Sequence, residues 1–162
     1  MSIQSAESRR HRVVIVGSGF GGLTAAQKLK HADVDVTLIG ETSHHLFQPL
    51  LYQLATGILS VGEIAPATRL ILRDQRNTRV LLGKVEKIDL TAKTVTSKLI
   101  NMEKVVPFDS LIVAAGAQQS YFGNDHFATF APGMKTIDNA LELRGRILGA
   151  FEAAEVAEDP GR

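Results

Sequence analysis

The sequence predicts an α/β fold: a parallel sheet covered by helices and joined by a three-stranded antiparallel β-meander. Three observations predict it. Arg12-Val13-Val14-Ile15-Val16 and Leu111-Ile112-Val113-Ala114-Ala115-Gly116 are apolar runs that lead into glycine. Strands of that kind are buried on both faces, as in a parallel sheet between helix layers. The first run is followed by a glycine-rich turn, a helical pattern and a second β-branched run, Val34 to Ile39, which together make a βαβ unit of about 30 residues. Three short runs, Val85 to Asp89, Thr94 to Ser97 and Val105 to Phe108, are β-branched or alternate around turn signals, the pattern of a meander.

In chain order, residues 1–11 are polar and basic and are expected to form a flexible N-terminal tail; Arg9 and Arg10, with Arg12 just after it, make a short cationic run. After the first strand, Leu23, Ala26 and Leu29 recur at helical spacing within Leu23 to Lys30. Residues 42–65 contain Pro49, Gly57 and Gly62 and are expected to be irregular around a short apolar stretch. Glu63 to Arg73 is expected to be a helix with Pro66 in its first turn. Val80 to Leu82 is a short buried strand, and Leu141 to Val156, rich in Ala, Leu and Glu, is helical. Asp159-Pro160-Gly161-Arg162 is a breaker cluster that reads as the start of a linker. The expected organisation is thus a tail (1–11), a nucleotide-binding domain (12–136) and a helix with the beginning of a linker (137–162).

Composition narrows the chemistry. The chain has 162 residues, 44% apolar and 22% charged, with a net charge of +1. Such a balance gives no field that would gather nucleic acid. With no cysteine, disulfides, thiolate metal sites and a redox-active thiol pair are excluded, so redox chemistry requires a bound cofactor. No apolar run approaches the roughly 18 residues needed to span a bilayer, and the polar N-terminus is not a secretory signal. A cytoplasmic location is expected.

Gly17-Ser18-Gly19-Phe20-Gly21-Gly22 fits G-x-G-x-x-G, placed between a buried strand and a helix as a Rossmann-like dinucleotide site requires. Gly17 permits the tight turn, Gly19 lets the backbone approach a pyrophosphate, and Gly22 lets helix and strand pack closely. The anion would then rest on N–H groups at the positive end of the helix. The motif alone does not separate FAD from NAD. An acidic residue for the ribose belongs about 20 positions on. Gly40 takes the first position after the second strand and Glu41 the next, so Glu41 is either the ribose ligand or an exposed loop carboxylate. His44 and His45 are adjacent and lack a third ligand nearby; no metal site is assigned.

Three more blocks add a resemblance: His44-His45-Leu46-Phe47-Gln48-Pro49-Leu50-Leu51-Tyr52-Gln53, then Phe108 to Gly116, then Ser120-Tyr121-Phe122-Gly123. In this order after the glycine fingerprint, they resemble the type II, non-proton-pumping NADH:quinone oxidoreductases, in particular the mycobacterial type, over Arg12 to Phe151. The resemblance implies the two-dinucleotide-binding flavoprotein fold, with FAD on the first fingerprint. It places the FAD pyrophosphate at Gly17 to Gly22, the ribose at Gly40-Glu41, His45 against the flavin nucleotide, and the adenine on the Val85 backbone. It also brings the backbone of Ala115-Gly116 close to FAD. Read without it, His45 is either a loop histidine or a cofactor contact, Val85 a strand residue, Phe47, Leu50, Leu51 and Tyr52 core residues, and Asp109 a capping or pairing residue at a strand entrance.

Relatives of this kind also carry a second glycine fingerprint for NADH, a late Gly-Asp segment, a quinone-site segment and a C-terminal membrane anchor. None is recognisable in these residues. The resemblance therefore implies an incomplete chain that stops before the NADH-binding domain and is inactive alone. It implies NADH and a quinone as the partners of the intact enzyme, with a homodimer possible in the family. Membrane association would come only through C-terminal parts, on the cytoplasmic face of the inner membrane. No side chain is assigned a catalytic role. Two other readings stay open: a single-domain NAD(P)-dependent dehydrogenase, and a non-enzymatic nucleotide-binding fragment. Against the first, Tyr-x-x-x-Lys is absent, since Asp125 stands four after Tyr121.

Overall fold

A computed structural model of the protein describes residues 9–157. The elements in order are β1 (His11–Val16), α1 (Phe20–Lys28), β2 (Val34–Gly40), α2 (Leu51–Ala55), α3 (Val61–Ile64), α4 (Thr68–Ile71), β3 (Thr78–Leu82), β4 (Lys84–Asp89), β5 (Thr94–Leu99), β6 (Met102–Pro107), β7 (Ser110–Val113) and α5 (Ile137–Glu155). Short 3₁₀ turns cover Gln48–Leu50 and Asp125–Thr129. The chain forms two compact units. One runs to His45 and resumes over Ala67–Gly116; the other holds Leu46–Pro66 and the chain from Ala117 onward. The Asp159 to Arg162 cluster and most of the N-terminal tail lie outside the described residues.

In the first unit a parallel sheet has the strand order β3-β2-β1-β7 and the antiparallel sheet the order β4-β5-β6. The parallel sheet expected from the apolar runs and the meander expected from the β-branched and alternating runs are both present. Central β1 pairs with β2 (Val13 opposite Val36) and with β7 (Val13 opposite Ser110). Alternation along β1 divides its apolar residues between two cores. Val13 and Ile15 join Val36, Leu38, Leu23, Ala26 and Leu72. Val14 and Val16 join Ile39, Val95, Val106 and Phe108. Full burial of each Val, Leu, Ile or Phe among them contributes roughly 1.5–3 kcal/mol. The two-sided burial is therefore as expected, but the second covering layer is the meander and not a helix. An apolar strand run is the same whichever element covers it.

Polar side chains secure the ends of this unit. The buried Gln75 donates from Nε2 to the Ala26 carbonyl at 2.7 Å, and Asn77 from Nδ2 to the Leu29 carbonyl at 2.9 Å. Ala26 lies in the last turn of α1 and Leu29 is its C-cap, so these bonds tie the end of that helix to the segment that leads into β3. At the other edge, Asp109 clasps the start of β1 to the start of β7. It accepts from the Arg12 backbone N–H at 2.8 Å, from Arg12 Nε and Nη2 at 3.2 and 3.1 Å, and from Arg9 Nη2 at 2.8 Å. Asp109 is thus a pairing residue at a strand entrance.

Several boundaries depart from expectation. Helix α1 starts at Phe20, three residues before Leu23, because Gly21 and Gly22 lie in its first turn. The helix expected over Glu63 to Arg73 is two short helices. Ala65, which precedes Pro66, takes φ −133° and ψ 59°, outside the helical region that the proline ring crowds. Ala67 is extended (ψ 128°) and bridges His44 before α4 begins. Strand β7 ends at Val113, so Ala114 to Gly116 continue beyond it.

In the second unit, residues expected to be irregular are partly helical. Leu51, Leu54, Ala55 and Ile64 bury themselves with Ala140 of α5, flanked by Leu46, Leu50, Leu59, Val61, Ile137 and Leu143. Mutual burial stabilises turns too short to persist alone. Ser60 opens α3 with its N–H donated to the Glu63 carboxylate at 2.7 Å. Helix α5 begins at Ile137, ahead of Leu141, because Thr136 caps it by accepting from the Asn139 N–H at 3.2 Å. Among the described residues no helix is long and apolar enough to cross a membrane.

The Asp109 clasp has a pH signature. Hydrogen bonds from the Arg12 side chain, and then from the Arg12 backbone N–H, hold its carboxyl well below the usual carboxylate range. A depressed native pKa stabilises the fold above the unfolded-chain value, about 3.9, and that contribution is lost as pH falls through the native value. Asp109→Asn should therefore lower stability at pH 7, and the difference from the parent should shrink below about pH 4. Denaturant unfolding of both proteins from pH 7 to pH 3 reads this directly; a constant difference across that range would contradict it.

Candidate functional site

The site is built where β1 passes into α1. Gly17 turns the chain at φ +103°, a conformation that L side chains rarely adopt, and its N–H donates to the Ile39 carbonyl at 2.7 Å. A Cβ on Gly17 would run into the Ala114 carbonyl, and one on Gly22 would run into the Gly17 carbonyl. Gly21 is less demanding, since a Cβ there would meet the Ala114 methyl at 3.6 Å. Gly19 is different. It is extended (φ −70°, ψ −166°), and nothing lies within 4 Å of the place its Cβ would take. Two glycines thus serve close packing, and Gly19 keeps an exterior surface clear.

Gly19 is also the N-cap of α1. No side chain caps this end and its first turn holds no acidic residue. The first helical hydrogen bond runs from the Leu23 N–H to the Gly19 carbonyl at 2.9 Å. A helix start with backbone donors and a partial positive charge is suited to a phosphate oxygen. The cleared surface and the uncapped helix coincide, and they fit a dinucleotide pyrophosphate.

Ser18 joins this loop to the end of β2. It is buried, and a Cβ on Gly40 would collide with its hydroxyl. Gly40 is therefore the notch that receives Ser18, a role the sequence does not reveal because it depends on a long-range contact. His45 is buried as well, and its Nδ1 lies 3.0 Å from the Ser18 carbonyl. A carbonyl only accepts, so Nδ1 carries the proton. The Phe20 ring meets the imidazole edge-on, centroids 5.0 Å apart and planes at 89°.

The remaining expected residues are more dispersed. Glu41 is exposed just past β2, with no hydrogen bond or ion pair to the described residues. Val85 is half-buried in β4, packs in the core shared by sheet and meander, and sits beside a register shift between Val85 and Lys87. Ala115 and Gly116 are exposed beyond β7, Gly116 at φ +77°. Ala114 was not singled out from the sequence. Its N–H donates to the Val16 carbonyl at 2.7 Å, and its own carbonyl makes Gly17 obligatory. Among the described residues no three His, Cys, Asp or Glu side chains gather as a metal site would need.

The fold and the glycine turn define a dinucleotide-binding α/β protein of the Rossmann type. Residues 11–151 match the family described as pyridine nucleotide-disulphide oxidoreductase, and the chain belongs to that family. It is 77% identical over 155 residues to the type II NADH:quinone oxidoreductase NdhA of Mycobacterium tuberculosis, covering 96% of this chain and 33% of the relative. It is 71% identical over 154 residues to the type II NADH:quinone oxidoreductase Ndh of the same organism, covering 95% and 33%. The chain spans about a third of the length of these curated relatives. Among solved structures, NDH2 of Plasmodium falciparum in complex with NADH superposes with a TM-score of 0.82 at 28% identity, covering 93% of this chain and 31% of the other. The sulfide:quinone oxidoreductase of Aquifex aeolicus gives 0.77 at 26% identity, covering 88% and 32%. Membership of the family and the likeness to NDH2 imply a flavin cofactor. Lacking cysteine, these residues supply none of the thiol chemistry in the family's description.

The glycines separate folding from binding. Gly22→Val forces backbone atoms apart and should cost on the order of 4 kcal/mol or abolish folding. Gly19→Val, at an N-cap where Val is less favoured than Gly, should cost about 1 kcal/mol or less, with helical content nearly intact, yet weaken dinucleotide binding at least about tenfold. Circular dichroism with ligand titration measures both. Equal stability losses at the two positions would refute this division.

Proposed function

We propose that this chain is the FAD-binding part of a type II NADH:quinone oxidoreductase, which takes electrons from NADH and passes them to a quinone without pumping protons. The observation that carries the reading is the coincidence of an uncapped helix start with the cleared surface at Gly19. The 77% and 71% identity to two type II NADH:quinone oxidoreductases supplies the choice of chemistry. When bound, FAD supplies the two-electron redox chemistry. The chain's residues bind and orient it. The backbone from Gly17 to Gly22 faces the pyrophosphate, Glu41 receives the ribose hydroxyls, the Val85 backbone takes the adenine, and Ala115-Gly116 allow close approach of the backbone. No side chain here is assigned a proton-transfer role. NADH, quinone and the cytoplasmic face of a membrane belong to the function proposed for the whole protein.

The test is titration of the protein with FAD, followed by flavin fluorescence. Saturable binding of one FAD per chain is expected, with a preference for FAD over NADH in these residues. A colourless protein that binds NADH in place of FAD would sink the reading. Glu41 gives a graded check. A charged hydrogen bond contributes roughly 1.5–3 kcal/mol, and solvent exposure reduces it, so Glu41→Gln should weaken FAD binding about tenfold or less without changing the fold. Identical dissociation constants would return Glu41 to an ordinary surface residue.

A further inference from the structure

The Ser18 carbonyl and the Gly19 N–H belong to one peptide group. That group is planar, and no described peptide bond is cis, so the carbonyl and the N–H point in opposite directions. Whatever fixes the Ser18 carbonyl also aims the Gly19 N–H. The carbonyl is held by Nδ1 of the buried His45 at 3.0 Å. Among the described residues the Gly19 N–H has no hydrogen-bond partner, and it sits at the cleared surface at the start of α1.

His45 is itself firmly placed. The Thr68 N–H donates to the Ser43 carbonyl at 3.0 Å, and Thr42 Oγ1 donates to the His44 carbonyl at 3.0 Å. His44 bridges Ala67. The segment leaving β2 is thus tied to the start of α4 immediately before His45. On the loop side, Ser18 is seated in the notch at Gly40. Both partners of the His45–Ser18 hydrogen bond are therefore anchored independently of any ligand.

We propose that His45 is a positioning residue that acts through Ser18: it orients the Ser18–Gly19 peptide so that the Gly19 N–H is presented to a phosphate of the dinucleotide. The inference rests on the FAD reading above and assigns His45 a role other than direct contact with the cofactor. Holding a donor in place before binding removes an ordering cost that the ligand would otherwise meet.

Asparagine and glutamine discriminate the two roles, because the Asn carboxamide nitrogen lies near the position of Nδ1 and that of Gln near Nε2. FAD dissociation constants are measured by flavin fluorescence for the wild-type protein and for His45→Ala, His45→Asn and His45→Gln. His45→Ala should bind FAD about tenfold more weakly, the scale of one net hydrogen bond. His45→Asn should recover to within about threefold of wild type, and His45→Gln should not. Rescue by Gln but not by Asn would overturn the proposal in favour of direct contact through Nε2, and so would unchanged binding in all three. If His45→Ala fails to fold, the comparison of Asn with Gln still decides. Failure of the wild-type protein to bind FAD would strike the functional reading and not this inference alone.

Discussion

The structure depends on one steric constraint: at the exit of β1, three stretches of backbone meet with no room for a side chain between them. Gly17 lies against the Ala114 carbonyl, and Gly22 lies against the Gly17 carbonyl. Any Cβ at either glycine would separate α1 from β1, or β1 from the chain leaving β7. Close packing of this kind is intolerant of even one added methyl group. It brings the start of α1 directly onto the end of the sheet, which puts a helix dipole and its backbone donors at the sheet's carboxyl edge.

The other features of the first unit follow from that crossing. Because α1 covers only one face of β1, the other face needs a second layer, and the meander supplies it through Val95, Val106 and Phe108. Because Ser18 is turned inward beside the crossing, β2 must end in a residue without a side chain, and Gly40 is that residue. The inward Ser18 also offers its carbonyl to His45. The loop is thereby held from both sides, by Gly40 and by His45, while Gly19 between them stays open. A site ordered in this way meets its ligand with little left to arrange.

The parts legible in the sequence are those encoded locally. The apolar runs of β1 and β2, the alternation of the meander and the spacing of Gly17, Gly19 and Gly22 each carry their own signal. What was hidden depends on distant residues. Pro66 was compatible with a helix start, but the conformation of Ala65 and the bridge from Ala67 to His44 decided against it. The helical turns between Leu51 and Ile64 take their stability from burial against Ala140 and Ile137. Gly40 departs from the acidic residue the ribose position favours, and its reason, room for Ser18, appears only when the two are brought together. In the same way the sequence leaves His45 between a loop histidine and a cofactor contact, and its hydrogen bond to the Ser18 carbonyl appears only in the structure.

The central claim is that the backbone at the start of α1, with the Gly19 N–H foremost, receives the phosphate of a dinucleotide. Amide NMR of the ¹⁵N-labelled protein during titration with ADP tests it most directly, because a hydrogen bond to a charged phosphate oxygen moves an amide proton strongly downfield. The account predicts large, saturable downfield shifts at Gly19 and in the first turn of α1, with little change at the sheet's opposite edge near Asp109. Saturable binding that leaves Gly19 and that first turn unmoved would contradict it.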